Sequence, residues 1–134
     1  MTGVAAAERV ARAALTFVAE PGDEVMGALL RACSPVEIVA ARVATARERT
    51  AARLKDTPWR LNAEVPGSEI RRAFAPSPEA LAPLERAMDL GHISARGVDR
   101  ALRVAWTLAD LAGVSMPTAA ETSYALGLWL GVGL

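Results

Sequence analysis

SARGVDRALRVAWTLADLAG, residues 94–113, decides the fold class. Val98, Ala101, Leu102, Ala105, Leu108, Ala109 and Ala112 recur every three or four positions, the spacing of one buried stripe on an α-helix. Ser94 offers a side-chain acceptor to the first turn, and Gly113 can leave the helix in the left-handed conformation. The pattern predicts a helix from about Ala95 to Ala112. A strand would need alternation with period two, which is missing here.

The same punctuation repeats outward from this segment. Thr118-Ala119-Ala120-Glu121 is a capping box that opens a final helix to about Leu130. Ser77-Pro78 starts a helix that Gly91 closes. Short connections make these last three helices an antiparallel bundle. Ser34-Pro35-Val36-Glu37 is a second capping box, with proline at the first helical position. It opens a helix to about Leu54 with Val36, Val39, Ala40, Val43, Ala46 and Leu54 as its apolar stripe and Arg42, Arg49 and Arg53 on another side. Asp56–Gly67 (DTPWRLNAEVPG) reads as an extended, ordered loop, followed by a short helical turn, Ser68–Phe74.

Residues 4–19 place Val10, Ala14, Phe17 and Val18 on one side of a first helix, which Pro21-Gly22 ends. A second short helix runs from Asp23 to Cys33 with acids in its first turn, where the helix dipole favours them. The expected fold is all-α, a bundle of five to six helices with an N-terminal helical hairpin. The domain reading is 1–36 for the hairpin and 37–134 for the bundle.

Composition agrees. Of 134 residues, 52% are hydrophobic but only 4% aromatic, and much of the apolar content is alanine, the best helix former. Formal net charge is zero, so no global field steers nucleic acid. Locally the charge is −1 over residues 1–34, +3 over 35–75 and −2 over 76–134. This basic middle reads either as a phosphate-facing surface or as a solvated face.

Several chemistries are excluded or disfavoured. A P-loop, G-x-x-x-x-G-K-[ST], wraps phosphates in backbone N–H groups and adds a lysine. Lys55, in ARLKDT, is the lone lysine and has no glycine before it. One histidine and one cysteine cannot make a His/Cys zinc site. His92, between Gly91 and Ser94, has the setting of a helix-end residue rather than of a triad member. No catalytic residue and no metal ligand is assigned, and the chain alone is not expected to be an enzyme. Cys33 cannot form an intramolecular disulfide, which points to a reducing compartment. The N-terminus lacks the apolar core of a secretory signal, and Tyr124–Leu134 is about half the ~20 residues a membrane span needs. No membrane association and a cytoplasmic location are therefore expected.

Three stretches together resemble a known family: VAARVATARERTAARL (Val39–Leu54), TPWRLNAEVPG (Thr57–Gly67) and ALAPLERAMDLGHISARGVDRALRVAWTLADLAG (Ala80–Gly113). They are similar to the C-terminal domain of the ComM/YifB proteins, bacterial AAA+ ATPases related to the magnesium-chelatase I subunit that act as DNA-remodelling motors in natural transformation. ISARGVDRALRVAWTLADLAG (Ile93–Gly113) is the most specific piece, and the likeness spans about residues 37–131. It implies an AAA+ lid, a helical domain that closes over ATP–Mg held by a separate αβ core. In such lids an arginine at the start of a helix, the sensor 2 position, reaches the γ-phosphate. Arg96 stands at that place, where a helix N-terminus and a guanidinium both favour phosphate. Its alternative reading is an ordinary exposed first-turn residue.

The first part of the chain, VARAALTFVAEPGDEVMGALLRACSPVE (Val10–Glu37), resembles the N-terminal helical segment of DprA-like DNA-processing proteins over about residues 8–37. Its core is A-L-x-x-V-A-E-P (Ala14–Pro21). The chain then reads as two DNA-uptake segments joined near Ser34–Val39.

Three functions follow for comparison. The first is a non-catalytic lid, with no cofactor of its own and ATP–Mg only through a partner AAA+ core. The second is a small DNA-binding module contacting phosphates through Arg42, Arg49, Arg53, Arg60, Arg71 and Arg72. Arg100 and Arg103 would add to it, or form a solvated helix face in which Asp99 pairs with Arg103. Trp59 and Trp106 suit core packing better than base stacking. The third is a homo-oligomerisation protein built on Leu126, Leu128, Trp129, Leu130, Val132 and Leu134.

Overall fold

A computed structural model describes residues 2–18 and 22–131. Seven α-helices and one 3-10 turn (Asn62–Glu64) account for the regular structure of the described residues, with no strand. The helices are α1 (Thr2–Val18), α2 (Glu24–Ala32), α3 (Pro35–Arg53), α4 (Gly67–Arg72), α5 (Pro78–Asp89), α6 (Ala95–Ala112) and α7 (Ala119–Leu130). The all-α expectation holds, and the short turn after the loop is a regular element, α4.

The caps work as their chemistry requires. Ser77 and Ser94 accept from the N–H groups of Ala80 and Gly97, and Asp23 accepts from Met26. Ser34 and Glu37 exchange side-chain-to-backbone bonds at 2.8 and 3.2 Å, and Thr118 and Glu121 form the other capping box. Each satisfies N–H donors that a helix start otherwise leaves open. Gly91, at φ 75°, lets the His92 N–H reach back to Ala87 O, so the histidine completes a helix end.

The chain divides into two compact units, Met1–Thr45 and Ala46–Leu134. In the first, Leu15, Met26 and Ile38 bury against Val39. The apolar phase expected for α1 is corrected here: Ala11 and Leu15 are buried while Val10 is 69% exposed. The side chains of Phe17 and Val18, and Pro21, lie outside the described residues. On α3 Ala46 is buried as expected, as is Leu54 just beyond the helix, but Pro35 and Ile38 are buried too, while Val36 and Ala40 are exposed.

In the second unit α5, α6 and α7 pack on one another, with α4 and the 3-10 turn against α6. Ile70, Leu84, Leu102, Val65 and Trp106 centre this core. Trp106 donates its indole N–H to Phe74 O at 3.0 Å and meets the Phe74 ring edge-on. Thr122, fully buried, donates its hydroxyl to Ala80 O and ties α7 to α5. On α6 the buried face takes in Gly97, Trp106 and Asp110, while Ala112 is exposed.

Candidate functional site: an arginine-lined cleft on α6

Arg96, Arg100 and Arg103 stand at i, i+4 and i+7 on α6, so the helical repeat puts them on one face. With Asp99 and Thr107 they line a cleft of about 570 Å³. Arg96, in the first turn behind the Ser94 cap, is exposed and makes no hydrogen bond or ion pair among the described residues. Arg100 lies over the Trp129 ring, 5.8 Å from its centroid. Arg103 donates its Nε to Val65 O at 2.8 Å, which fastens the loop before α4 to α6.

Asp99 does not pair with Arg103 as its spacing suggests. Arg71, at the end of α4, donates to both Asp99 oxygens at 3.0 and 3.1 Å. The reason is the docking of α4: a Cβ on Gly67 would overlap the Asp99 carboxyl, so only glycine lets the start of that helix come so close.

The remaining arginines of the basic middle are dispersed. Arg72 pairs with Glu69 on its own helix at 2.6 Å. Arg42 lies in the first unit, half-buried, and Arg60 is exposed in the loop. Arg49 donates to Asp110 O at 2.6 Å. Arg53 donates to both carboxylate oxygens of Asp110, at 2.6 and 2.9 Å, and to Asn62 Oδ1 at 2.5 Å. Its guanidinium also stacks 4.2 Å above Trp106.

Asp110 organises that second cluster. Its side chain is only 3% exposed. Burial by itself would raise its pKa, but hydrogen bonds from Arg53, Asn62 and Thr50 and the Arg53 charge outweigh burial and hold it below the ordinary carboxylate value. The network joins α3, the 3-10 turn and α6 through side chains, and no buried side-chain nitrogen or oxygen is left without a partner among the described residues. Sequence reading missed it, although one signal existed. Asp110 stands one turn after Trp106, on a face that is otherwise apolar, and an acid there must find a partner.

Among the described residues no group of three or more His, Cys, Asp or Glu side chains could hold a metal, and no helix is long and apolar enough to cross a membrane. Arg96, Arg100 and Arg103 give the cleft a cationic lining, suited to phosphate or carboxylate oxygens.

Residues 34–128 match the family described as magnesium chelatase, subunit ChlI C-terminal. The chain belongs to that family.

The match runs from the Ser34 cap of α3 into α7, and so takes in both the arginine cleft and the Asp110 network. The chain is 54% identical over 85 residues to Uncharacterized protein Rv2897c of Mycobacterium tuberculosis and equally to Uncharacterized protein Mb2921c of Mycobacterium bovis. In both cases the alignment covers 63% of this chain and 17% of the relative. The chain thus spans under a fifth of the length of these curated relatives. No solved structure matches.

Proposed function

We propose that this chelatase-type domain is the helical lid of an AAA+ ATPase of the ComM/YifB kind, linked to DNA uptake and processing, and that it does not hydrolyse ATP by itself. The observation that carries the reading is Arg96. It is an exposed, unpaired guanidinium in the first turn of α6, at the head of an arginine-lined cleft. A γ-phosphate held by a P-loop core, on the same or another polypeptide, would find there a charge-assisted donor and a helix N-terminus together. ATP–Mg reaches the domain only through that core, in the cytoplasm, with the core or a second copy as partner.

Residues 1–36 are, in this reading, a DprA-like helical segment preceding the lid at 37–134. A DNA-binding role for the basic middle has less support, because Arg49, Arg53, Arg71 and Arg72 already bond within the chain. The exposed Leu128, Trp129 and Leu130 favour a protein partner instead.

Adding the chain to a P-loop core that lacks its own C-terminal domain tests the lid reading. ATP turnover should rise with the chain present, and Arg96→Ala should remove at least about tenfold of the rise. Turnover that ignores the chain, or that Arg96→Ala stimulates equally, contradicts it.

A further inference from the structure

Beyond Arg96, the cleft holds two more guanidinium groups whose surroundings keep its charge positive. At 1.5 Å rise per residue, Arg96, Arg100 and Arg103 extend roughly 10 Å along α6. Asp99, the one acid lining the cleft, is paired from outside by Arg71, which donates to both of its oxygens. Arg103 gives its Nε to Val65 O and keeps its two terminal nitrogens as donors. Arg100 is held differently. Trp129 of α7 lies across the first turn of α6, so close to Gly97 that a Cβ there would stand 3.1 Å from its Cζ2. Its ring carries the Arg100 guanidinium, a contact that restricts the side chain while leaving its N–H groups open to a ligand. Trp129 itself remains 42% exposed.

We propose that the cleft takes a ligand with at least two linked phosphate groups, the polyphosphate chain of a nucleoside triphosphate, and that Trp129 is the residue that positions Arg100 for the second of them. Arg96 then meets the terminal phosphate and Arg100 the next. The nucleotide as ligand rests on the lid reading. A long nucleic-acid strand fits less well, because residues 76–134, which supply the cleft's arginines, carry a net charge of −2.

Isothermal titration of the 134-residue chain with magnesium tripolyphosphate, orthophosphate and a single-stranded oligonucleotide, at low salt, tests the proposal. Tripolyphosphate should bind around the millimolar range, at least about tenfold more tightly than orthophosphate. Arg100→Ala and Trp129→Leu should each erase that ratio. Trp129→Phe should keep most of it, since a ring remains beneath the guanidinium. Arg86→Ala, which removes an exposed charge on α5 away from the cleft, should leave it unchanged. Equal binding of the two phosphates, indifference to Arg100→Ala, or a preference for the oligonucleotide would each overturn the proposal. Circular dichroism identifies any variant that fails to fold; if Trp129→Leu does, Arg100→Ala and Trp129→Phe decide the matter. Should the ratio be absent while core-dependent ATP turnover still needs Arg96, only the two-phosphate site falls. Should both be absent, the lid reading falls with it.

Discussion

Asp110 receives donors from Thr50 and Arg53 on α3 and from Asn62 on the 3-10 turn, and its burial makes their convergence obligatory. Removing one partner of a buried, hydrogen-bonded pair leaves the other charge uncompensated, at a cost of about 3–5 kcal/mol. Asp110→Asn should therefore lower the unfolding free energy by about 3 kcal/mol at neutral pH, measurable by urea titration. Because the folded carboxyl titrates below its ordinary value of 3.8, its stabilisation is complete above that value. It disappears as pH falls through the depressed folded value. Melting temperature between pH 7 and pH 3 should thus fall less steeply for Asp110→Asn than for the parent chain. Equal acid limbs for the two proteins would show that Asp110 is not the group responsible.

At the scale of elements, α6 and α7 are joined where Gly97 meets Ile93 and Trp129. A methyl at Gly97 would collide with Ile93 Cγ1 and press on the indole. Gly97→Ala gains helix propensity, yet overpacking of this kind costs about 1–3 kcal/mol. It should destabilise the domain by at least about 1 kcal/mol in thermal unfolding; a stabilised variant would mean the two helices part easily. The Thr118 cap is a milder case. Thr118→Ala should cost about 1 kcal/mol through loss of the capping box that starts α7, read by the same method. Helix starts such as Ser34, Ser77, Ser94 and Thr118 were legible in the sequence because capping is a bond between neighbours in the chain. The faces of α1 and α3 were not. Alanine-rich helices offer little contrast around their circumference, so whether Val10 or Ala11 turns inward depends on partners distant in sequence.

At the scale of the whole molecule, the two units differ in what holds them. Eleven buried residues form the core of the second, including Leu84, Leu102 and Trp106, against three in the first, among the described residues. Local opening free energy follows buried apolar contact. Backbone amides of α5, α6 and α7 should therefore exchange with deuterium at least about 100-fold more slowly than those of α1 and α2, as mass spectrometry of peptic fragments would show. Comparable rates would mean the first unit is held more firmly than its small core provides. The candidate site was partly legible. Arg96, Arg100 and Arg103 share a helical face by spacing alone, so the sequence places them together. That Arg71 rather than Arg103 takes Asp99, and that Trp129 carries Arg100, depends on how α4 and α7 dock, which no local pattern encodes.

In the proposed role this domain reads phosphate with arginines, while its one lysine, Lys55, has no glycine-rich loop with which to hold and cleave ATP. Calorimetric titration of the purified chain with ATP–Mg, with released phosphate followed in parallel, tests it most directly. A dissociation constant of about a millimolar or weaker, near 4 kcal/mol of binding free energy, with no phosphate released, is the predicted result. A micromolar constant, or turnover by the chain alone, would contradict it.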